Sequence, residues 1–338
     1  MSRWKAALFG FGKIGAGLAE DPVHGLAYPY ATHAQVLRDH PSFDWVGVID
    51  PDPNARRLAS DGWGVPEIVG TVRELPSLAS IDVAVIATPP DSRLAIVDAM
   101  PNLKAVLVEK PLAETMGAAE DFLNHCAARD VAVAVSLPRR YDTSLRELAN
   151  GGLMRRIGQP MAVFATYGNG LSNNGTHLID LVRLLLGEIV SVQAVAGSTS
   201  FVEGPIPGDV NLPFVCTLES RIGVMVHPLR FSCYREVSLD IWGQIGRLQI
   251  LNESLRLIFT PRGRSRILTD AAEILHDSPN VETLTVGRAL YAVYDNLAGI
   301  MRGESSFCPG ADALAAMRIV DAVHRSSEAG GIAITCNQ

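Results

Sequence analysis

The chain has 338 residues, 48% of them hydrophobic, and a formal net charge of −7. That length allows two domains with sizeable cores, and an acidic chain without a basic cluster longer than a pair argues against nucleic acid or an anionic membrane as partner. Its five cysteines are far apart, odd in number and free of any C-x-x-C spacing, so neither a disulfide framework nor a metal site is expected. In chain order, no charged-then-apolar leader precedes the first predicted strand, and no apolar run reaches about 18 residues. A soluble, cytoplasmic protein is expected.

The first strand, KAALF, leads into Gly10, Gly12 and Gly15, with Phe11, Lys13 and Ile14 between them. This is the G-x-G-x-x-G spacing of a dinucleotide-binding turn. Gly10 suits a tight turn, Gly12 a close approach of backbone to a pyrophosphate, and Gly15 the packing of a following helix. Further apolar runs follow at WVGVID, DVAVIAT, AVLVEK and VAVAV, with SRLAIVDAM and AETMGAAEDFLNHCAAR reading as crossover helices. Strands apolar on both faces and alternating with helices predict a doubly wound parallel sheet of Rossmann type. Asp50 ends the second strand, where a carboxylate can hold the adenosine ribose. On spacing alone an ordinary turn aspartate in DPDPN fits as well. The extra distance from the glycines is explained by an insertion from Glu20 onward, expected as an irregular loop. An aspartate here favours NAD over NADP, while Arg56 and Arg57 leave NADP open.

Two more strand ends carry chemistry-bearing residues: Thr88, Pro89 and Pro90 after DVAVIA, and Glu109 and Lys110 before Pro111. Open α/β sheets bind ligands at such ends. After about Ser136 the pattern changes. A helix closed by glycine (LRELANGGLMRRIG) and a strand (MAVFATYG) precede the helical spacing of THLIDLVRLLLG. Longer alternating segments from Val190 to Thr260 predict an antiparallel sheet with one covered face. Helices around Ala289–Arg302 and Ala311–Ala329 finish the chain. The expected division is a dinucleotide-binding domain over 1–136 and a substrate-binding and oligomerisation domain over 137–338.

The glycine turn, the TPP step, the EKP triplet, the RRY step at Arg139–Tyr141 and the N-x-G-x-H-x-x-D run from Asn173 to Asp180 together resemble the Gfo/Idh/MocA oxidoreductase family. The resemblance implies a Rossmann domain followed by an α/β domain on a large, mostly antiparallel open sheet. It implies NAD(P)-linked hydride transfer on a sugar, cyclitol or related substrate, and homodimers or homotetramers formed through the open sheet face. By it Lys110 is the catalytic lysine and His177 the acid/base, with Asn173 beside it where many relatives carry aspartate. Lys110, Arg140, Tyr167, Asn173, Asn174 and His177 then face substrate. The cofactor side comprises the glycine turn, Asp50, Thr88, Pro89, Pro90, Glu109 and Lys110. Two alternatives remain: a glycosidase of the same fold that uses NAD transiently, and a non-catalytic dinucleotide-binding sensor.

Overall fold

The computed structural model describes residues 3–336. They form two compact units: the chain up to Tyr141 with Gly287–Leu314, and Asp142–Val286 with the chain from Ala315. The first break lies a few residues from the expected 136/137. The assignment of Gly287–Leu314 to the first unit has no counterpart in the composition.

In the first unit β1 (Trp4–Phe9), β2 (Phe43–Ile49), β3 (Glu67–Val69), β4 (Val83–Ile86), β5 (Ala105–Glu109) and β6 (Ala132–Ser136) form one sheet. The order is β3-β2-β1-β4-β5-β6 and every pair is parallel. The order reverses between β1 and β4, the kind of point at which such sheets hold ligands. Residues 105–108 of β5 are fully buried, as a strand covered on both faces must be. The three-residue edge strand β3 is too short to leave a periodic signal.

The helices here are α1 (Pro22–Ala27), α2 (His33–Asp39), α3 (Pro53–Gly62), α4 (Arg93–Ala99) and α5 (Met116–Ala128). The sequence reading took DPDPN only as a turn, yet it starts α3: Asp52 accepts from the Asn54 amide and Pro53 fills the first helical position. The insertion is more ordered than an irregular loop. A helical turn forms after Gly12, with Ala16 N donating to Gly12 O at 2.9 Å and Leu18 N to Lys13 O at 2.9 Å. The chain then leaves through α1, capped by Asp21, and returns at α2 with a Thr32–Gln35 capping box. There His33 N donates to Ile14 O (3.1 Å) and Ala34 N to Gly15 O (2.9 Å). The helix expected straight after the glycines is thus split, and α2 is joined back onto the turn.

In the second unit the single helix expected at LRELANGGLMRRIG is two, α6 (Thr143–Glu147) and α7 (Leu153–Ile157). They are broken at Gly151, whose φ of +91° suits glycine far better than other residues. Then come β7 (Pro160–Tyr167), α8 (Thr176–Leu186), β8 (Ile189–Ala194), β9 (Phe201–Val202), β10 (Val210–Asn211), β11 (Phe214–Leu218) and β12 (Gly223–Pro228). β13 (Ser238–Gly243), β14 (Gly246–Leu251), β15 (Arg256–Arg264), β16 (Ala272–Ile274) and β17 (Asn280–Thr283) follow. α9 (Ala289–Ile300) belongs to the first unit, and α10 (Gly310–Glu328) precedes the last strand, β18 (Ile334–Thr335). The large sheet runs β16-β15-β14-β13-β7-β12-β11-β8-β18, with β17 also on β15. Its pairs are antiparallel except β12 with β7. One face is covered: Val163, Ala165, Val224, Val226, Leu239 and Ile241 are buried there, with α8 packed over β7 and β13. Their alternating neighbours Phe164 and Met225 are exposed. Among the described residues no helix is long and apolar enough to cross a membrane.

Candidate active site

The glycine turn occupies the C-terminal end of β1. Gly10 has φ +90°, and a Cβ on it would lie 2.9 Å from the Ala87 carbonyl, so β4 runs too close for any side chain. A Cβ on Gly15 would lie 2.4 Å from Gly10 O. The close contact that demands glycine at 15 is therefore with the turn itself rather than with the sheet. A Cβ on Gly12 would meet nothing within 4 Å, and Gly12 and Lys13 are exposed while Phe11 is buried. That open face, at a position where the fold itself does not demand glycine, fits the approach of a pyrophosphate. Asp50 is tied into the same turn: Oδ2 accepts from Phe11 N at 2.7 Å and Oδ1 from Asp52 N at 2.8 Å. It is more than a turn aspartate, because it braces the glycine loop. Arg56 Nη1 donates to the Asp50 and Pro51 carbonyls, both at 2.8 Å, and Arg57 Nη2 to Asn54 Oδ1 at 3.0 Å. Both guanidinium groups thus have bonds within the α3 turn. Thr88, whose amide borders Gly10, pairs its hydroxyl with Ser92 Oγ at 2.7 Å. Pro89 is exposed, and Pro90 opens a 3₁₀ turn ahead of α4.

Lys110 stands one residue past β5, and its peptide bond to Pro111 is cis. The backbone on either side is gripped from α4. Arg93, 2% exposed, donates Nη1 to Pro111 O and Leu112 O and Nη2 to Glu109 O, each at 2.6 Å. Burial pushes its guanidinium down to about 10 while Glu109 opposes that shift. Charge-assisted bonds, at about 1.5–3 kcal/mol each, offset the cost of burying the cation. Glu109 Oε1 lies 3.1 Å from His33 Nε2, and His33 Nδ1 lies 2.8 Å from the Tyr294 hydroxyl. Burial disfavours the Glu109 carboxylate, but the bonds from His33 and Ser136 and the charge of Lys110 outweigh it and hold the group below the usual range. Arg140, expected on the substrate side, is buried in this unit with Nη1 3.1 Å from Asp312 Oδ2.

In the second unit β7 and β12 end side by side, Tyr167 opposite Pro228. Tyr167 requires a correction. It is fully buried, and its hydroxyl donates to Leu212 O (2.9 Å) and accepts from Leu212 N (2.8 Å), so it serves the core rather than facing substrate. Beyond it a π-helical turn, Leu171–Gly175, leads directly into α8 and presents half-buried Asn173, Asn174 and His177. Asp209 shapes that turn, accepting from Ser172 N and Asn173 N at 2.9 Å each, while Asn211 Oδ1 accepts from Gly170 N at 2.9 Å. The Asn173 side chain donates to Asn169 O at 3.1 Å. Asp180, one turn into α8, is buried with Arg183 Nη1 3.8 Å away.

The sequence reading missed Arg93, His33, Asp209 and Asn211. A charged residue inside the apolar SRLAIVDAM and the capping box before His33 were the only local signals. A cavity of about 640 Å³ among Arg262, Arg264, Leu268 and Asp270 contains none of the candidate residues. Among the described residues no group of three or more His, Cys, Asp or Glu could hold a metal ion.

Residues 7–137 match the family model described as oxidoreductase family, NAD-binding Rossmann fold, and residues 166–334 the C-terminal α/β domain of the same family. The chain belongs to the Gfo/Idh/MocA oxidoreductase family. Inositol 2-dehydrogenase of Burkholderia cenocepacia is 26% identical over 307 residues, covering 85% of this chain and 87% of that one. Levoglucosan dehydrogenase, solved with NADH and L-sorbose, matches over 100% of both chains with a TM-score of 0.75 at 18% identity. A super-repressor mutant of Gal80p from Saccharomyces cerevisiae matches equally well, with a TM-score of 0.75 at 16% identity over 100% of this chain and 99% of that one. At such identities the structural matches speak for the fold. This family fold appears both in a dehydrogenase and in a repressor.

Proposed function

We propose that the protein is an NAD-dependent oxidoreductase, acting in the cytoplasm, that transfers hydride between nicotinamide and a secondary alcohol or ketone of a sugar, cyclitol or sugar derivative. The observation that carries the reading is Lys110, on backbone held by three Arg93 bonds at the end of β5, in the same sheet as a glycine turn with open space at Gly12. Bound nicotinamide would supply or accept the hydride. The glycine turn would cradle the pyrophosphate and Asp50 would hold the ribose, with the engaged Arg56 and Arg57 favouring NAD over NADP. The Lys110 ammonium stabilises negative charge on the reacting oxygen. His177, with an imidazole suited to proton transfer near neutrality, moves the hydroxyl proton. Asn173 orients the turn that carries it.

The test is a screen of sugars, inositols and their derivatives with NAD or NADH, followed at 340 nm. A steady absorbance change with one of them supports a dehydrogenase. Product formation without net change in NADH would point to the glycosidase, and tight NADH binding without turnover of any compound to a non-catalytic sensor.

The second copy this chain would take is another of itself. Val215, Met225 and Phe164 are successive cross-strand partners on the open face of the large sheet, and Met225 and Phe164 are 57% and 46% exposed. We expect a dimer or tetramer through this face. A monomer in sedimentation equilibrium at micromolar concentration would refute it.

A further inference from the structure

Lys110 is carried by a support that reaches down into the first unit. Tyr294 is fully buried, and burial followed by the Glu109 charge pushes its phenol well above the ordinary range, so the group stays neutral. The carboxylate can only accept, so Nε2–H of His33 donates to Glu109, while Nδ1 pairs with the Tyr294 hydroxyl at 2.8 Å. Only 15% of the Glu109 side chain and 1% of the His33 side chain remain exposed. The carboxylate has Ser136 on β6, His33 on α2, Arg93 on α4, Tyr294 on α9 and the adjoining Lys110 around it. Arg93 spends its Nη donors on backbone carbonyls. Because Lys110 lies in the bend beyond the strand, the alternation that would turn neighbouring side chains to opposite faces is not imposed on it.

We propose that Glu109 is a positioning residue for Lys110: fixed from beneath by the Tyr294–His33 pair, its carboxylate supplies the counter-charge that keeps the Lys110 side chain an oriented ammonium at the end of β5. Its value for catalysis rests on the dehydrogenase reading. The arrangement itself does not. His33 serves twice, since its amide donates to Ile14 O in the glycine turn. One residue therefore fixes the relation between the cofactor loop and the lysine's support.

The chain offers a direct test because it has only four lysines, Lys5, Lys13, Lys104 and Lys110. Reductive ¹³C-methylation labels these four side chains and the α-amino group, whose titrations are followed by NMR, with Lys110 identified by loss of its signal in Lys110→Arg. In Glu109→Gln, which keeps the shape and removes the charge, the Lys110 midpoint should fall while the other three stay put. Tyr294→Phe, which removes one hydroxyl, should move it the same way by less. An unchanged Lys110 midpoint in Glu109→Gln overturns the proposal. Should that variant not fold, an unchanged midpoint in Tyr294→Phe does so. The titration needs no substrate. Absence of turnover would sink the function proposed above and leave this result standing, whereas an unmoved midpoint would sink the positioning role in a working enzyme.

Discussion

The Lys110 strand end and the Asn169–His177 turn are built by opposite means. Around Lys110 the support is charged: a buried guanidinium grips three carbonyls and a carboxylate is held by a histidine. In the turn that leads to His177 the backbone is held instead, with one carboxylate, Asp209, spent on two backbone amides. Charged support in a buried setting both fixes a side chain and sets its ionisation. Amide support fixes the backbone. Under the function proposed above, that difference would suit a lysine kept cationic and a histidine that exchanges a proton.

The largest effect that would test this contrast is at Lys110 itself. Lys110→Ala should lower kcat and kcat/KM together by about 10²–10³, the usual cost of losing one preorganised charge-stabilising donor. Lys110→Arg should recover little, because a planar fork cannot take the place of a compact ammonium. Steady-state kinetics on both decide it. Retention of more than about a tenth of wild-type turnover by the alanine variant would remove Lys110 from the chemistry.

A smaller effect is expected at the other end of the contrast. Gly170 has φ +95°, and a Cβ there would lie 2.0 Å from Asp209 Oδ2. Gly170→Ala should therefore push the carboxylate off the Ser172 and Asn173 amides and cost about 1–3 kcal/mol of stability. NADH affinity should be unchanged. A thermal melt and an NADH titration check both, and an unaltered melting point would mean that Asp209 does not shape the turn.

The sequence made the first of these regions far more legible than the second. Glycine spacing, apolar strand runs and the EKP step are local, so the parallel sheet and the place of Lys110 can be read from stretches of a few residues. Asp209 and Asn211 act on residues 36 to 41 positions earlier, and nothing in GPIPGDVN marks them as partners of the histidine turn. Tyr167 shows the reverse failure: a tyrosine beside a glycine-rich loop looks available, and only burial and its two bonds to Leu212 reveal its structural role. Arg93 was concealed because a lone arginine in an apolar helix has no partner in sequence, its carbonyls lying 16 to 19 residues away.

An amide rather than a carboxylate at Asn173 fits the same amide support. Asn173 N already donates to Asp209 Oδ2, and its side-chain amide donates to Asn169 O at 3.1 Å. A carboxylate at 173 would lose that donor, face a carbonyl with an acceptor and stand beside a second carboxylate. Asn173→Asp should therefore cost about 1–2 kcal/mol at neutral pH. The sign with pH is fixed. Like charge and lost donors raise the new carboxyl's folded pKa above its unfolded value of about 3.9. The penalty is then fully present above the folded pKa and disappears as pH falls through it toward the unfolded one. Urea denaturation of variant and wild type at pH 7 and near pH 4 measures it: the deficit should be largest at pH 7 and shrink on acidification. A deficit independent of pH, or a variant more stable than wild type at pH 7, would show that Asp209 and residue 173 do not interact and that the choice of amide at 173 has another cause.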